Sequence, residues 1–120
     1  MSELAREFLM YVHTRANDRS AKRECWSYTR GEVTLTLGLG PGVGFALWTD
    51  GADSPEWITT GGLNADPVTY ETDEDTTEDF PVGCEHPVEV VIGVLERFVE
   101  HEERSSDVGW EPFRAASRRE

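Results

Sequence analysis

The stretch EVTLTLGLGPGVGFALWT, Glu32 to Thr49, decides how this chain folds. Val33, Leu35, Leu37 and Leu39 alternate with Thr34, Thr36 and Gly38, a period of two that puts apolar side chains on one face and polar ones on the other. Gly40–Pro41–Gly42 supplies turn chemistry, and Val43 to Trp48 resumes as a strand, so the segment predicts a hairpin. Toward the C-terminus, Thr49 to Pro55 reads as a second turn and Glu56–Thr60 as a third short strand. Gly61–Gly62 breaks it, and Pro67–Glu71 is a fourth.

Toward the N-terminus, Leu4, Phe8, Tyr11 and Val12 fall on one stripe of a helix running from Glu3 to about Asn17, with Ser2 as its cap. Asp18–Glu24 is polar and reads as a loop, and Cys25–Thr29 as a short strand. Beyond Tyr70, the run ETDEDTTED (Glu71–Asp79) is dense in charge and is expected to be an exposed loop. From Pro87 to about Glu103, Val88, Val91, Ile92, Leu95 and Val99 keep helical spacing. Val108–Phe113 closes the pattern as a last strand. The fold class predicted is α+β: an antiparallel meander of four to five strands with an N-terminal and a C-terminal helix packed on it. Residues 1–113 form one domain in this reading, and 114–120 a disordered tail.

Between Gly31 and Glu96 there is no Lys or Arg, yet there are fourteen Asp and Glu residues, and the whole chain carries a net charge of −13. Such a surface repels phosphate, which excludes nucleic-acid binding and adsorption to acidic membranes as expectations. It attracts a basic protein instead, and opposite fields raise association rates by roughly ten- to a thousandfold. No run of eighteen apolar residues predicts a membrane span, and MSELAREFLMYV lacks the pattern of a signal peptide. A cytoplasmic location with Cys25 and Cys84 reduced is therefore expected.

Residues that could carry chemistry do not assemble into a motif. Gly40, Gly42 and Gly44 precede Phe45–Ala46 and a strand, not the Lys–Ser/Thr and helix that a phosphate loop needs. His13, His86 and His101 have no paired metal-ligand spacing, and Cys84–Glu85–His86 lacks partners for zinc. A loop beginning at Asp73 lacks the sixth-position Gly and twelfth-position Glu of a calcium site. No nucleophile is poised, so neither a cofactor nor a catalytic residue is expected.

The order of elements resembles immunity protein family one of bacterial polymorphic toxin systems. Trp57–Ile58–Thr59–Thr60–Gly61 is similar to the W-S-x-G strand of that family, Val68–Thr69–Tyr70 to its Tyr-ending strand, Phe80–Pro81–Val82–Gly83–Cys84–Glu85–His86–Pro87 to its F-P-x-G-S-x-x-P stretch, and Val108–Gly109–Trp110 to its closing x-x-W. Cys84 replaces the usual Ser, and His101–Glu102–Glu103 departs from the usual helix exit. The resemblance, which covers about Glu32 to Phe113, implies a small cytoplasmic protein that neutralises a cognate toxin domain, often a nuclease or nucleic-acid deaminase.

Combined with the acidic centre, that implies stoichiometric capture of a basic toxin domain. Charge is expected from Glu71, Asp73, Glu74, Asp75, Glu78 and Asp79, and anchoring contacts from Glu56, Trp57 and Tyr70, since interface hot spots favour Trp and Tyr. Trp48, Trp57, Tyr70 and Trp110 read mostly as core or edge-of-core packing, with an exposed Trp57 as the alternative. When free, the protein is expected to be a monomer or weak dimer. A chaperone or adaptor for a basic client, and a small enzyme without a readable motif, are the competing readings.

Overall fold

The computed structural model describes residues 3–16, 22–51, 54–73 and 75–114. Helix α1 (Glu3–Ala16) leads into strands β1 (Glu24–Arg30), β2 (Val33–Leu39), β3 (Val43–Thr49) and β4 (Glu56–Thr60). Strands β5 (Val68–Asp73), β6 (Thr76–Phe80) and the two-residue β7 (His86–Pro87) follow, then helix α2 (Val88–His101) and strand β8 (Gly109–Arg114). Ser2, Asn17 and residues 18–21, parts of the expected first cap and loop, lie outside the described residues, as do 115–120 of the expected tail. Arg114, assigned to that tail, is the last residue of β8.

The periodic segment forms its hairpin, with pairs running from Thr34↔Thr49 to Leu39↔Gly44. Gly40 N–H donates to the Val43 carbonyl at 2.8 Å, and Gly42 occupies the left-handed region at φ 78° that a side chain disfavours. Gly38 has a different reason to be glycine: a Cβ there would run into the Phe45 ring, its cross-strand partner.

The sheet is larger than a four- or five-strand meander, and it is mixed. Among the described residues its order is β6-β5-β1-β2-β3-β4-β8, with β7 pairing β3. Strands β1 to β4 do meander, but β4 gives its outer edge to β8. The next strand therefore crosses to the free edge of β1 and joins it in parallel at Glu24↔Glu71. The crossing is tight, because Gly62 N–H bonds the Gly83 carbonyl and Leu63 N–H the Glu85 carbonyl, both at 2.6 Å. A Cβ on Gly62 would overlap the Glu85 carbonyl. Where β4 diverges from β3, the buried Thr59 hydroxyl takes over the ladder, accepting from Ala46 N–H at 3.2 Å and donating to the Cys84 carbonyl at 2.9 Å.

Glu71–Asp79 is not a loop. It belongs to the β5–β6 hairpin, paired from Val68↔Phe80 to Asp73↔Thr76. Val68, Tyr70 and Phe80 turn inward while Thr69, Thr77 and Asp79 stay in water. The β-branched threonines suit strands, and Asp75, at φ 62°, takes the left-handed turn that Asp tolerates.

Two clusters fill the interior. On one face of the sheet, Leu35, Leu37, Leu39, Ala46 and Trp48 pack with Leu9 and Val12 of α1 and with Val88, Val91, Val94, Leu95, Phe98 and Val99 of α2. Phe45, Leu47, Ile58, Tyr70, Phe80 and Cys84 form the second cluster. Phe80 stacks on Phe113 at 5.6 Å although their strands end opposite sides of the strand order, so the sheet curls toward itself. Pro87 serves as the N-cap residue of α2, not its first turn, because it is tied to Val43 on β3. Glu102 ends the helix in the left-handed conformation, its N–H on the Phe98 carbonyl at 2.8 Å.

Candidate partner-binding surface

Charge in the central segment divides between buried and solvent-facing carboxylates. Asp79 is exposed and accepts from the Thr69 hydroxyl at 2.6 Å. Asp75 is exposed at the turn, while Glu71 and Glu78 are half-buried on the two strands. Asp73 ends β5 opposite Thr76, and Glu74 lies outside the described residues. Among the described residues, the hairpin therefore carries Glu71, Asp73, Asp75, Glu78 and Asp79 on a ribbon and not in a loop.

Tyr70 does not belong with them. Its side chain is fully buried, with its ring edge-on to Phe45 at 4.7 Å and to Phe80 at 5.9 Å. Its hydroxyl donates to Glu85 at 2.6 Å. As an anchor for a partner, Tyr70 is a correction: it has no surface to offer. Its position in the alternation Val68, Tyr70 is the inward one, and the acid that holds it lies fifteen residues on.

Glu85 is the residue that sequence reasoning missed. Although charged, it is buried, and its carboxylate receives Arg23 Nε at 2.8 Å in addition to the tyrosine hydroxyl. Arg23 rises above its usual value, chiefly through that hydrogen bond. Burial, reinforced by the Glu85 hydrogen bond and charge, raises the Tyr70 phenol. Burial likewise pushes both thiols up to about 12, with Glu78 adding to the effect at Cys25 and Glu85 at Cys84.

These shifts share a sign. The unfolded chain loses its thiol protons near the ordinary value of 9, whereas the fold keeps them until about 12. The native state then binds more protons than the unfolded one across that window, so their stabilising contribution is whole below pH 9 and drains away as pH rises. Urea melts at about pH 8 and about pH 11 should show a clearly lower midpoint at the alkaline end. An unchanged midpoint would mean that the thiols ionise freely in the fold.

Trp57 is half-buried and lies opposite Trp48 and Pro112, packed against the helix-side cluster. The Arg104 guanidinium sits 5.1 Å from its ring and 5.5 Å from that of Trp110. Trp57 thus has no free ring to offer a partner. Glu56, half-buried, begins β4 opposite Arg114. By strand order the β4–β8 pair and the hairpin occupy opposite ends of the sheet, so the two halves of the expected site meet only through the sheet's curl.

Among the described residues, no group of three or more His, Cys, Asp or Glu side chains could hold a metal ion, and no helix is long and apolar enough to cross a membrane. The model of the family described as immunity protein Imm1 matches residues 5–112. The chain belongs to the Imm1 immunity protein family. No curated protein matches it. Membership carries a role in toxin immunity in general, and the Imm1 match takes in both helices and nearly the whole sheet, including the acidic hairpin and the Arg23–Glu85–Tyr70 network.

Proposed function

We propose that this Imm1 protein binds a cognate toxin domain with a basic surface and blocks its active site stoichiometrically, without turnover, in the cytoplasm of the cell that makes it. The observation that carries this reading is the concentration of fourteen acidic and no basic residues between Gly31 and Glu96 in a member of an immunity family. A toxin that acts on nucleic acid must itself present a cationic surface to phosphate, and a folded polyanion is its natural competitor. The hairpin residues Glu71, Asp73, Glu74, Asp75, Glu78 and Asp79 supply the attraction, with Glu56 as a contact at the other end of the sheet. Neither cofactor nor metal takes part.

Titrating toxin activity against this protein should reach zero at one equivalent. Replacing Asp73, Glu74, Asp75, Glu78 and Asp79 by Asn or Gln should slow association by about tenfold or more while dissociation changes less. The wild-type on-rate should fall steeply with salt. Inhibition by a small fraction of an equivalent would point to an enzyme acting on the toxin or its product. An on-rate indifferent to salt and to these substitutions would remove the electrostatic part of the reading.

A further inference from the structure

Both helices pack on the same side of the sheet, and the pairing register says what lies on the other. Ser27 pairs with Thr36 and Thr29 with Thr34, so these four side chains share a face. Leu35 and Leu37, the intervening residues of β2, belong to the helix-side cluster. The hydroxyl-bearing face is therefore the one the helices leave bare. Ser27 and Thr29 are exposed, and Thr34 and Thr36 are half-buried.

This face changes character along the strands. At the Cys25–Gly38–Phe45 end it is roofed, because Phe45 contacts Tyr70 and Phe80, and Phe80 stacks on Phe113. At the Thr29–Thr34–Thr49 end nothing apolar remains, and the floor is made of short hydroxyls. Carboxylates stand beside it on β4 and β8. Glu111 shares the face of Ile58, and Glu56 lies two residues before Ile58 on the same strand. Glu78, the cross-strand partner of Tyr70, belongs to the roofed end. Between Gly31 and Glu96, the part of the chain that supplies β2, β3 and β4, there is no Lys or Arg.

Building on the immunity reading above, we propose that this helix-free face is the docking surface. Ser27, Thr29, Thr34 and Thr36 form its floor and Glu56 and Glu111 border it, seating an Arg- or Lys-bearing segment of the toxin domain. Ser27 Oγ and Thr36 Oγ1 lie 2.8 Å apart, and Thr29 Oγ1 and Thr34 Oγ1 2.9 Å. Each pair spends one hydroxyl hydrogen on itself and keeps acceptor lone pairs and a second hydrogen for a partner. Guanidinium and ammonium groups only donate, so acceptors beside carboxylates match them. A second copy of this chain would instead set the same carboxylates against each other, and nucleic acid would set phosphates against them.

The test uses a cognate toxin domain, purified in a catalytically silenced form. Thr36→Arg and Ser27→Arg should each weaken its binding by at least about tenfold, because they place a like charge in the seat. Glu100→Arg, on the exposed side of α2, changes the net charge more but should stay within about twofold. In the wild type, the methyl signals of Thr29, Thr34 and Thr36 should shift when the domain is added, a readout that needs no variant to fold. Equal weakening by Glu100→Arg, or normal binding by a folded Thr36→Arg, would overturn the proposal. So would methyl shifts confined to the helix side. A wild type that does not bind the domain at all would overturn the immunity reading itself, which separates the two failures.

Discussion

Arg23→Met should lower the unfolding free energy by about 3 kcal/mol, the lower end of the roughly 3–5 kcal/mol lost when one partner of a buried ion pair is removed. The lower end applies because the Arg23 side chain is 40% exposed while that of Glu85 is only 5% exposed. Without the guanidinium, the Glu85 carboxylate keeps the Tyr70 hydroxyl as its side-chain donor and stays where water reaches it poorly. The charge, not the lost packing, carries the cost. Arg23→Met combined with Glu85→Gln should therefore recover part of the loss, since a neutral amide still accepts from Tyr70 and leaves no orphaned charge. Urea melts of the two single variants and the double one measure the coupling. A loss under about 1 kcal/mol for Arg23→Met would make this an ordinary surface pair.

That network also marks the boundary of what sequence could tell. The β2–β3 hairpin and helix α2 are local in sequence, and their periods of two and 3.6 residues spell them out. The parallel junction of β5 with β1 joins Glu71 to Glu24 across forty-odd positions and two other strand pairings, and no local pattern encodes it. The acidic run misled for a different reason. Its charge density argues for solvent, but a two-stranded ribbon satisfies that demand by sending Thr69 and Asp79 outward and Tyr70 inward. The threonines at 72, 76 and 77 were the available clue. Tyr70 looked like an anchor because exposed and buried tyrosines are identical in sequence, and only the position of Glu85 distinguishes them. As to the candidate surface, the acidic residues were legible, whereas their division between two faces depends on register.

Leu95→Ala should cost about 2–5 kcal/mol, a large share of the roughly 5–15 kcal/mol that holds a domain of this kind together. Leu95 is fully buried among the α2 stripe and the β2 leucines. The upper half of the range is expected, because one wall of the cavity is a hydrogen-bonded sheet that cannot collapse into it. Thermal melting should show the loss directly. The same substitution lies on the far side of the sheet from Ser27, Thr29, Thr34 and Thr36, so the fraction that remains folded should bind the toxin domain with near wild-type affinity. Thr36→Arg should do the opposite, leaving melting nearly unchanged and weakening binding. The two variants thus form a crossed pair in which each moves one readout, and a general loss of folding cannot imitate that pattern. If Leu95→Ala melts like the wild type and abolishes binding, then α2 is the contact face and the bare side of the sheet is merely solvated.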